Sequence, residues 1–230
     1  KGLKARHEEK GTMWKTLKVL AIWAFVGLQW AQAKPTGTGW ESLGNKDGIE
    51  VSRKTIEGSN FFAFRGESDI DIHIGVLIAV LINDDIGPEW VDMMNLSKML
   101  RRESENVKIV HQGYDLPWPI NDRDYVMRES ATYDAETKVF TLKFTSIEDP
   151  MMPEQECCVR ASAYRTYWRF QALGGNKTHV EVEVHTDPKG SLPAWLVNMI
   201  QKDWPRDTIL GLTKRSSVGD IQGDAKVADW

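Results

Sequence analysis

Over residues 107–187 apolar and polar side chains alternate with a period of two in run after run, and no other feature restricts the fold as much. Val107, Ile109 and His111 alternate with Lys108, Val110 and Gln112, and Tyr125 and Met127 share a face with Glu129. Phe140, Leu142 and Phe144 alternate with Thr141, Lys143 and Thr145. Trp168 and Phe170 face away from Arg169, and Val180, Val182 and Val184 face away from Glu181, Glu183 and His185. A period of two puts successive side chains on opposite faces, so each run reads as a strand of an antiparallel sheet with one apolar and one wet side. Two shorter runs come first: Ile49 and Val51 after the turn pair Asp47-Gly48, and Phe62 and Phe64 before Arg65-Gly66-Glu67.

Helical spacing interrupts this pattern twice. Ile74, Leu77, Ile78, Leu81 and Ile82 fall at i, i+3, i+4, i+7 and i+8, with Asp71 as the expected N-cap; their β-branched content keeps a buried strand as the alternative. A short second helix is expected from Pro88, anchored by Trp90. Leu192, Trp195, Leu196, Met199 and Ile200 repeat the helical stripe, with Ser191 as expected cap and Pro193 in the first turn. Pro205 cannot bond to the carbonyl of Gln201 and is expected to kink this helix, while Ile209 and Leu212 continue its apolar face. The tail after Ser216 is small and polar and is expected to fray. Strands, a helix pair, more strands and a long helix make an α+β order, an antiparallel sheet with helices on one side. A curved sheet around one amphipathic helix has room for a cavity.

The 230 residues are 41% hydrophobic and 27% charged, which excludes a disordered chain and a membrane bundle. The formal charge of -4 and the lack of a long basic run argue against nucleic acid as the main partner. Ten Trp call for large apolar surfaces, in a core or around a pocket. Residues 1–33 read as an extension and signal peptide with its start at Met13: Lys15 and Lys18, an apolar stretch from Val19 to Leu28, then Ala31-Gln32-Ala33. The alternative is a buried amphipathic helix. Residues 34–230 then form a single domain, exported, periplasmic in a bacterium and otherwise secreted. Cys157 and Cys158 are adjacent and are read as unpaired thiols, with a strained vicinal disulfide as the alternative, because neighbouring Cα atoms sit closer than an ordinary disulfide requires.

Three stretches together resemble a known family. They are Leu116-Pro117-Trp118-Pro119-Ile120-Asn121-Asp122-Arg123-Asp124-Tyr125-Val126, Pro153-Glu154-Gln155 leading to Val159-Arg160, and Thr186-Asp187-Pro188-Lys189-Gly190-Ser191-Leu192-Pro193-Ala194-Trp195-Leu196. Their order and spacing, with the opening Trp40 and Asp47-Gly48-Ile49-Glu50-Val51, resemble START domains, the lipid-transfer domains related to the steroidogenic acute regulatory protein. Small exported bacterial members look most similar, and the resemblance covers roughly 40–213. It implies a helix-grip fold, an antiparallel sheet curled round the C-terminal helix, with a tunnel for one sterol, phospholipid, ceramide or other apolar ligand. It also implies that the C-terminal helix and nearby loops form the gate. Some sterol-binding members keep an acidic-basic pair in the tunnel, the basic residue lying six positions after the Arg of the Arg-Asp-aromatic motif. Counted from Arg123 that position is Glu129, and Arg128 faces the other way, so sterol specificity does not transfer.

The expected cavity wall is Tyr125, Met127, Phe140, Leu142, Arg160, Trp168, Phe170, Val180, Val182 and Val184, with Trp195, Leu196, Met199, Ile200 and Pro205 on the gate helix. Arg160, in phase with Trp168 and Phe170, is the candidate for a ligand headgroup unless a bulge turns it outward. The turn at Trp118-Pro119 with Asp122, Arg123 and Asp124 reads as a charge-anchored loop, with a ligand contact as the alternative. His111, His179 and His185 lack metal-ligand spacing and are read as exposed; no metal or cofactor is expected. The chain has no G-x-S-x-G, H-E-x-x-H, P-loop or G-x-G-x-x-G motif. The expected function is carriage of a lipid or other apolar small molecule by a monomer, with transient contact to membrane surfaces and without nucleic acid or catalysis. A polyketide cyclase or hydrolase using the same cavity is the second reading, and an accessory module that binds protein through the C-terminal helix is the third.

Overall fold

The alternating runs become the strands of one sheet. The computed structural model describes residues 39–230, so the leader-like segment and Met13 lie outside the described residues. The strands are β1 (Trp40–Lys46), β2 (Ile49–Thr55), β3 (Phe62–Ile70), β4 (Met94–Ser104), β5 (Val107–Tyr114), β6 (Asp122–Asp134), β7 (Val139–Ser146), β8 (Cys158–Arg160), β9 (Ser162–Gly174) and β10 (Lys177–Asp187). They pair in the order β1-β2-β3-β10-β9-β7-β6-β5-β4, antiparallel throughout, with β8 added parallel to β6. Asp47 and Gly48 take positive φ, 57° and 78°, as a two-residue hairpin between right-twisted strands requires.

The helices are α1 (Ile74–Leu81), α2 (Gly87–Trp90), α3 (Ala194–Gln201) and α4 (Trp204–Ser216). The helical reading of 74–82 holds, with a different cap: His73, whose Nδ1 accepts from the Gly75 amide at 3.1 Å, takes the place expected of Asp71. The C-terminal segment is two helices. Ser191 does not cap; the N-cap of α3 is Pro193, which offers no side-chain bond. The break falls at Lys202 and Asp203, and Pro205 lies in the first turn of α4, where its missing N–H costs nothing.

Two glycines let α4 sit close. A Cβ on Gly66 would lie 2.9 Å from Pro205 Cβ, so β3 carries no side chain where Pro205 and Ile209 pack against it. A Cβ on Gly211 would lie 2.0 Å from the Trp90 carbonyl oxygen, so α2 and α4 meet backbone to backbone.

The tail after Ser216 does not fray. The Asp224 amide donates to the Gly75 carbonyl at 2.9 Å, Tyr133 Oη donates to Asp224 at 2.8 Å, and Val227 is wholly buried. A small polar composition hides this, because the anchoring is done by scattered groups: the Asp224 backbone and carboxylate, Val227, and Ile221 and Trp230 packed on the core. Among the described residues no helix is long and apolar enough to cross a membrane.

Candidate functional site

Register converts the apolar faces into rows that cross the sheet. One row runs Val180, Phe170, Phe140, Tyr133; the next runs Val182, Trp168, Leu142, Ala131; the third runs Val184, Thr166, Phe144, Glu129, Lys108. The first two rows, Trp168 apart, fill the core: Phe140, Phe170, Val180 and Val182 are wholly buried, and Leu142 almost so. The third row, Lys108 apart, borders a cavity of about 150 Å³ roofed by α2, α3 and the start of α4.

Of the expected wall, Tyr125, Met127, Trp168 and Val184 line this cavity, together with Ile200 from α3. Phe140, Leu142, Phe170, Val180 and Val182 do not; they are on the right face but too far along their strands. Arg160 does not reach the cavity either. It donates from Nε and Nη2 to the two oxygens of Asp124 at 3.0 and 2.8 Å, and Asp124 alternates with cavity-lining Arg123 and Tyr125, so the pair lies on the opposite face. His111 Nε2 meets the same carboxylate at 2.9 Å. Burial opposes charge on Asp124, but the bonds from Arg160 and His111 prevail and hold its carboxyl below the usual range. His111 and His185 are buried, contrary to the exposed reading, because Asp124 and the Ser59 hydroxyl give each a partner.

The expected gate residues divide. Trp195 and Met199 point to solvent, 64% and 57% exposed, whereas Val197 and Ile200 on the other side of α3 line the cavity. Leu196 is half-buried outside the lining, and Pro205 packs on Gly66. The apolar stripe of α3 is therefore not all buried. Asn198 fastens the helix to the β2–β3 connection, its Oδ1 accepting from the Phe62 amide at 3.0 Å. Trp118, 92% exposed, stands in the β5–β6 turn, whose Leu116 lines the cavity.

Several lining residues carried no decisive signal in the sequence: Trp90, Tyr114, Thr166, Gln201, Trp204 and Thr208. Thr166 is in phase with Trp168 and could have been found by extending that run; Thr208 and Trp90 meet the sheet only through tertiary packing. Arg123 also lines the cavity but is spent on backbone: Nε donates to the Pro188 carbonyl at 2.6 Å and Nη2 to that of Lys189 at 3.2 Å. Glu129 lies 3.2 Å from Lys108 Nζ, which also bonds Asp84 at 2.7 Å and the Ile82 carbonyl at 2.9 Å. Burial pushes the Glu129 carboxyl up to about 7, against the pull of Lys108. Burial likewise raises the phenol of Tyr125 to about 12.

Elsewhere, Cys157 and Cys158 are free, and burial with the neighbouring thiol pushes Cys158 up to about 12. On the outer face β3 and β10 bring Glu67, His179 and Glu181 together, a grouping that spacing along the chain could not show. His179 is bonded to Asp69 at 2.8 Å, and Glu181 accepts from Tyr167 at 2.5 Å.

A curved antiparallel sheet closed by a C-terminal helix over a largely apolar cavity is the helix-grip architecture. The START domain family model matches residues 29–203, and the chain belongs to that family. An uncharacterized protein of Pseudomonas aeruginosa is 27% identical over 173 residues, 75% of this chain and 84% of that protein. The phosphatidylcholine transfer protein of Mus musculus is 23% identical over 171 residues, 73% of this chain and 79% of that protein. Among solved structures, a STAR-related lipid transfer protein from Xanthomonas axonopodis superposes with a TM-score of 0.70 at 23% identity, covering 78% of this chain and 99% of that one. Human StAR-related lipid transfer protein 5 gives a TM-score of 0.73 at 16% identity, covering 88% and 93%.

Proposed function

We propose that this chain binds one lipid in the cavity under α3 and α4 and carries it between membrane surfaces. The observation that carries the reading is the cavity: apolar walls from Tyr125, Met127, Phe144 and Trp168, closed by a helix rather than by more sheet. Removing a lipid's apolar surface from water is worth about 25 cal/mol per Å², less the costs of ordering and desolvation. Burial of this kind needs no bond chemistry.

At about 150 Å³ the cavity is the size of one that accommodates benzene, so a lipid must widen it. The segment best placed to move is α3. It is separated from α4 by the break at Lys202 and Asp203, and it is fastened by few side chains, chiefly Val197, Asn198 and Gln201. Its exposed Trp195 and Met199 give it an apolar outer side to lay on a bilayer while its inner side opens. The gate thus hinges one turn before Pro205. The leader-like segment at 13–33 supports an exported location.

Native mass spectrometry of protein purified from its own host tests the reading. A retained lipid in one-to-one stoichiometry is expected. Protein that arrives empty, and stays empty after incubation with mixed-lipid vesicles, overturns it; turnover of a polyketide by such protein would favour the cyclase reading.

A further inference from the structure

Three metal-ligating side chains meet on the face of the sheet opposite the buried Val180 and Val182. Residues two apart on a strand share a face, so His179 and Glu181 of β10 stand side by side, and register sets Glu67 of β3 directly opposite Glu181. The His179 ring offers a nitrogen and each carboxylate an oxygen, all within 4.8 Å of one another. A tetrahedral zinc site wants such ligand atoms about 3.4 Å apart, a gap that small side-chain rotations close. The Glu67 and His179 side chains are 28% and 30% exposed, open enough for an ion to enter, while Glu181 forms the buried floor.

Each of the three is held by an outer partner that leaves it able to ligate. Asp69, opposite His179, bonds its Nδ1 at 2.8 Å, which fixes the ring and leaves Nε2 as the second nitrogen. Glu181 accepts the Tyr167 hydroxyl on Oε1, and Arg65 meets Oε2 of Glu67 at 3.1 Å, so each carboxylate keeps a second oxygen. A histidine with one nitrogen on a carboxylate and the other toward the ion is the common outer shell of protein zinc sites.

Charge points the same way. The row continues to Glu50 of β2, opposite Glu67, so three carboxylates lie in line across three strands. Like charges directly opposite destabilise a sheet. Arg65 pairs with Glu67, and Arg169 of β9 stands opposite Glu181. A divalent ion held by Glu67 and Glu181 together removes the repulsion between them. Calcium and magnesium want oxygen ligands alone, whereas one imidazole with two carboxylates suits zinc.

We propose that Glu67, His179 and Glu181 bind one zinc ion, with water completing the shell, and that Asp69 is the positioning residue for His179. The ion ties β3 to β10 on the outside of the sheet. The site is on the other face from the cavity and stands whether or not the chain carries a lipid.

Zinc chloride is titrated calorimetrically into the full chain carrying Cys157→Ser and Cys158→Ser, which keeps the two free thiols from competing. One ion per chain with a Kd of about 10 μM or tighter is expected, and magnesium chloride should bind at least about a hundredfold more weakly. X-ray absorption at the zinc edge should show nitrogen and oxygen neighbours. His179→Ala and Glu67→Gln should each weaken zinc binding at least about tenfold, and zinc should raise the melting temperature of the parent but of neither variant. Asp69→Asn should weaken zinc about tenfold while the melting temperature without zinc is little changed, because only the setting of the ring is altered. No uptake at millimolar zinc overturns the site. Uptake kept in both His179→Ala and Glu67→Gln puts the ion elsewhere and overturns it as well, and equal binding of magnesium reduces the cluster to an acidic patch.

Discussion

Glu129 and Lys108 face each other across β6 and β5 at 3.2 Å, and Asp84 holds the same ammonium at 2.7 Å. Two carboxylates therefore share one buried cation at the edge of the cavity. The acid is on β6 and the base on β5.

The raised Glu129 carboxyl makes stability fall with pH. A group near 7 in the native protein and about 4.5 unfolded is neutral in the fold across that interval, and ionises freely only in the unfolded chain. Its contribution is complete below about pH 4.5, declines up to pH 7 and is flat above. Glu129→Gln mimics the neutral acid, so its stability relative to wild type should rise between pH 4.5 and 7, by about 3 kcal/mol at most. Thermal melts of both proteins from pH 4.5 to 8 check this; a pH-independent difference would place the Glu129 titration outside that interval.

Asp124 behaves oppositely. Its carboxyl is held low, so its contribution is complete above about pH 4 and is lost as the pH falls toward the depressed native value. Asp124→Ala takes from Arg160 and His111 the carboxylate both bond, leaving Arg160 only the carbonyls of Met152 and Pro153, and should cost about 3 kcal/mol in urea unfolding. A loss below 1 kcal/mol would mean that solvent replaces the carboxylate.

Val182 and Val184 are two residues apart on one face of β10, yet only Val184 lines the cavity. Val184→Phe should fill it, cutting lipid uptake at least tenfold with little change in melting temperature. Val182→Phe should overpack the core and cost about 1–3 kcal/mol while uptake per folded molecule is kept. The reverse outcome in a paired uptake and melting assay would put the cavity one row further along the sheet.

The exposed side of α3 can be tested without touching the cavity. Trp195→Glu with Met199→Glu should leave stability within about 0.5 kcal/mol, because both side chains are in water already. Transfer of fluorescent lipid between vesicles should slow by about tenfold, with equilibrium binding little changed. Unaltered transfer would remove α3 from membrane contact.

Periodicity alone determined β5, β6, β7, β9 and β10, the helical reading of 74–82 and the inward face of every one of these strands except β5, because alternation is a local property of the backbone; in β5 Val107, Ile109 and His111 read as the apolar face, yet Lys108, Val110 and Gln112 turn inward opposite Glu129, Met127 and Tyr125. The Asp47-Gly48 hairpin was equally legible, since positive φ at two consecutive positions restricts the residues that fit. Position along the strand was not legible. Val180 and Val182 read the same as Val184, and only the packing of α1, α4 and the tail decides which of them meets solid core and which meets space. Arg160 read as inward by counting from Trp168, but the sequence could not show that β8 is a separate strand laid parallel on β6, where Asp124 captures it. The stripe of α3 read as one buried face, yet a helix with a cavity beneath and solvent above divides its apolar residues between the two. Trp90 and Gly211 are 121 residues apart and carry no common pattern. Their backbones touch because Gly211 has no side chain, and contacts made by the absence of a side chain leave no mark in hydropathy.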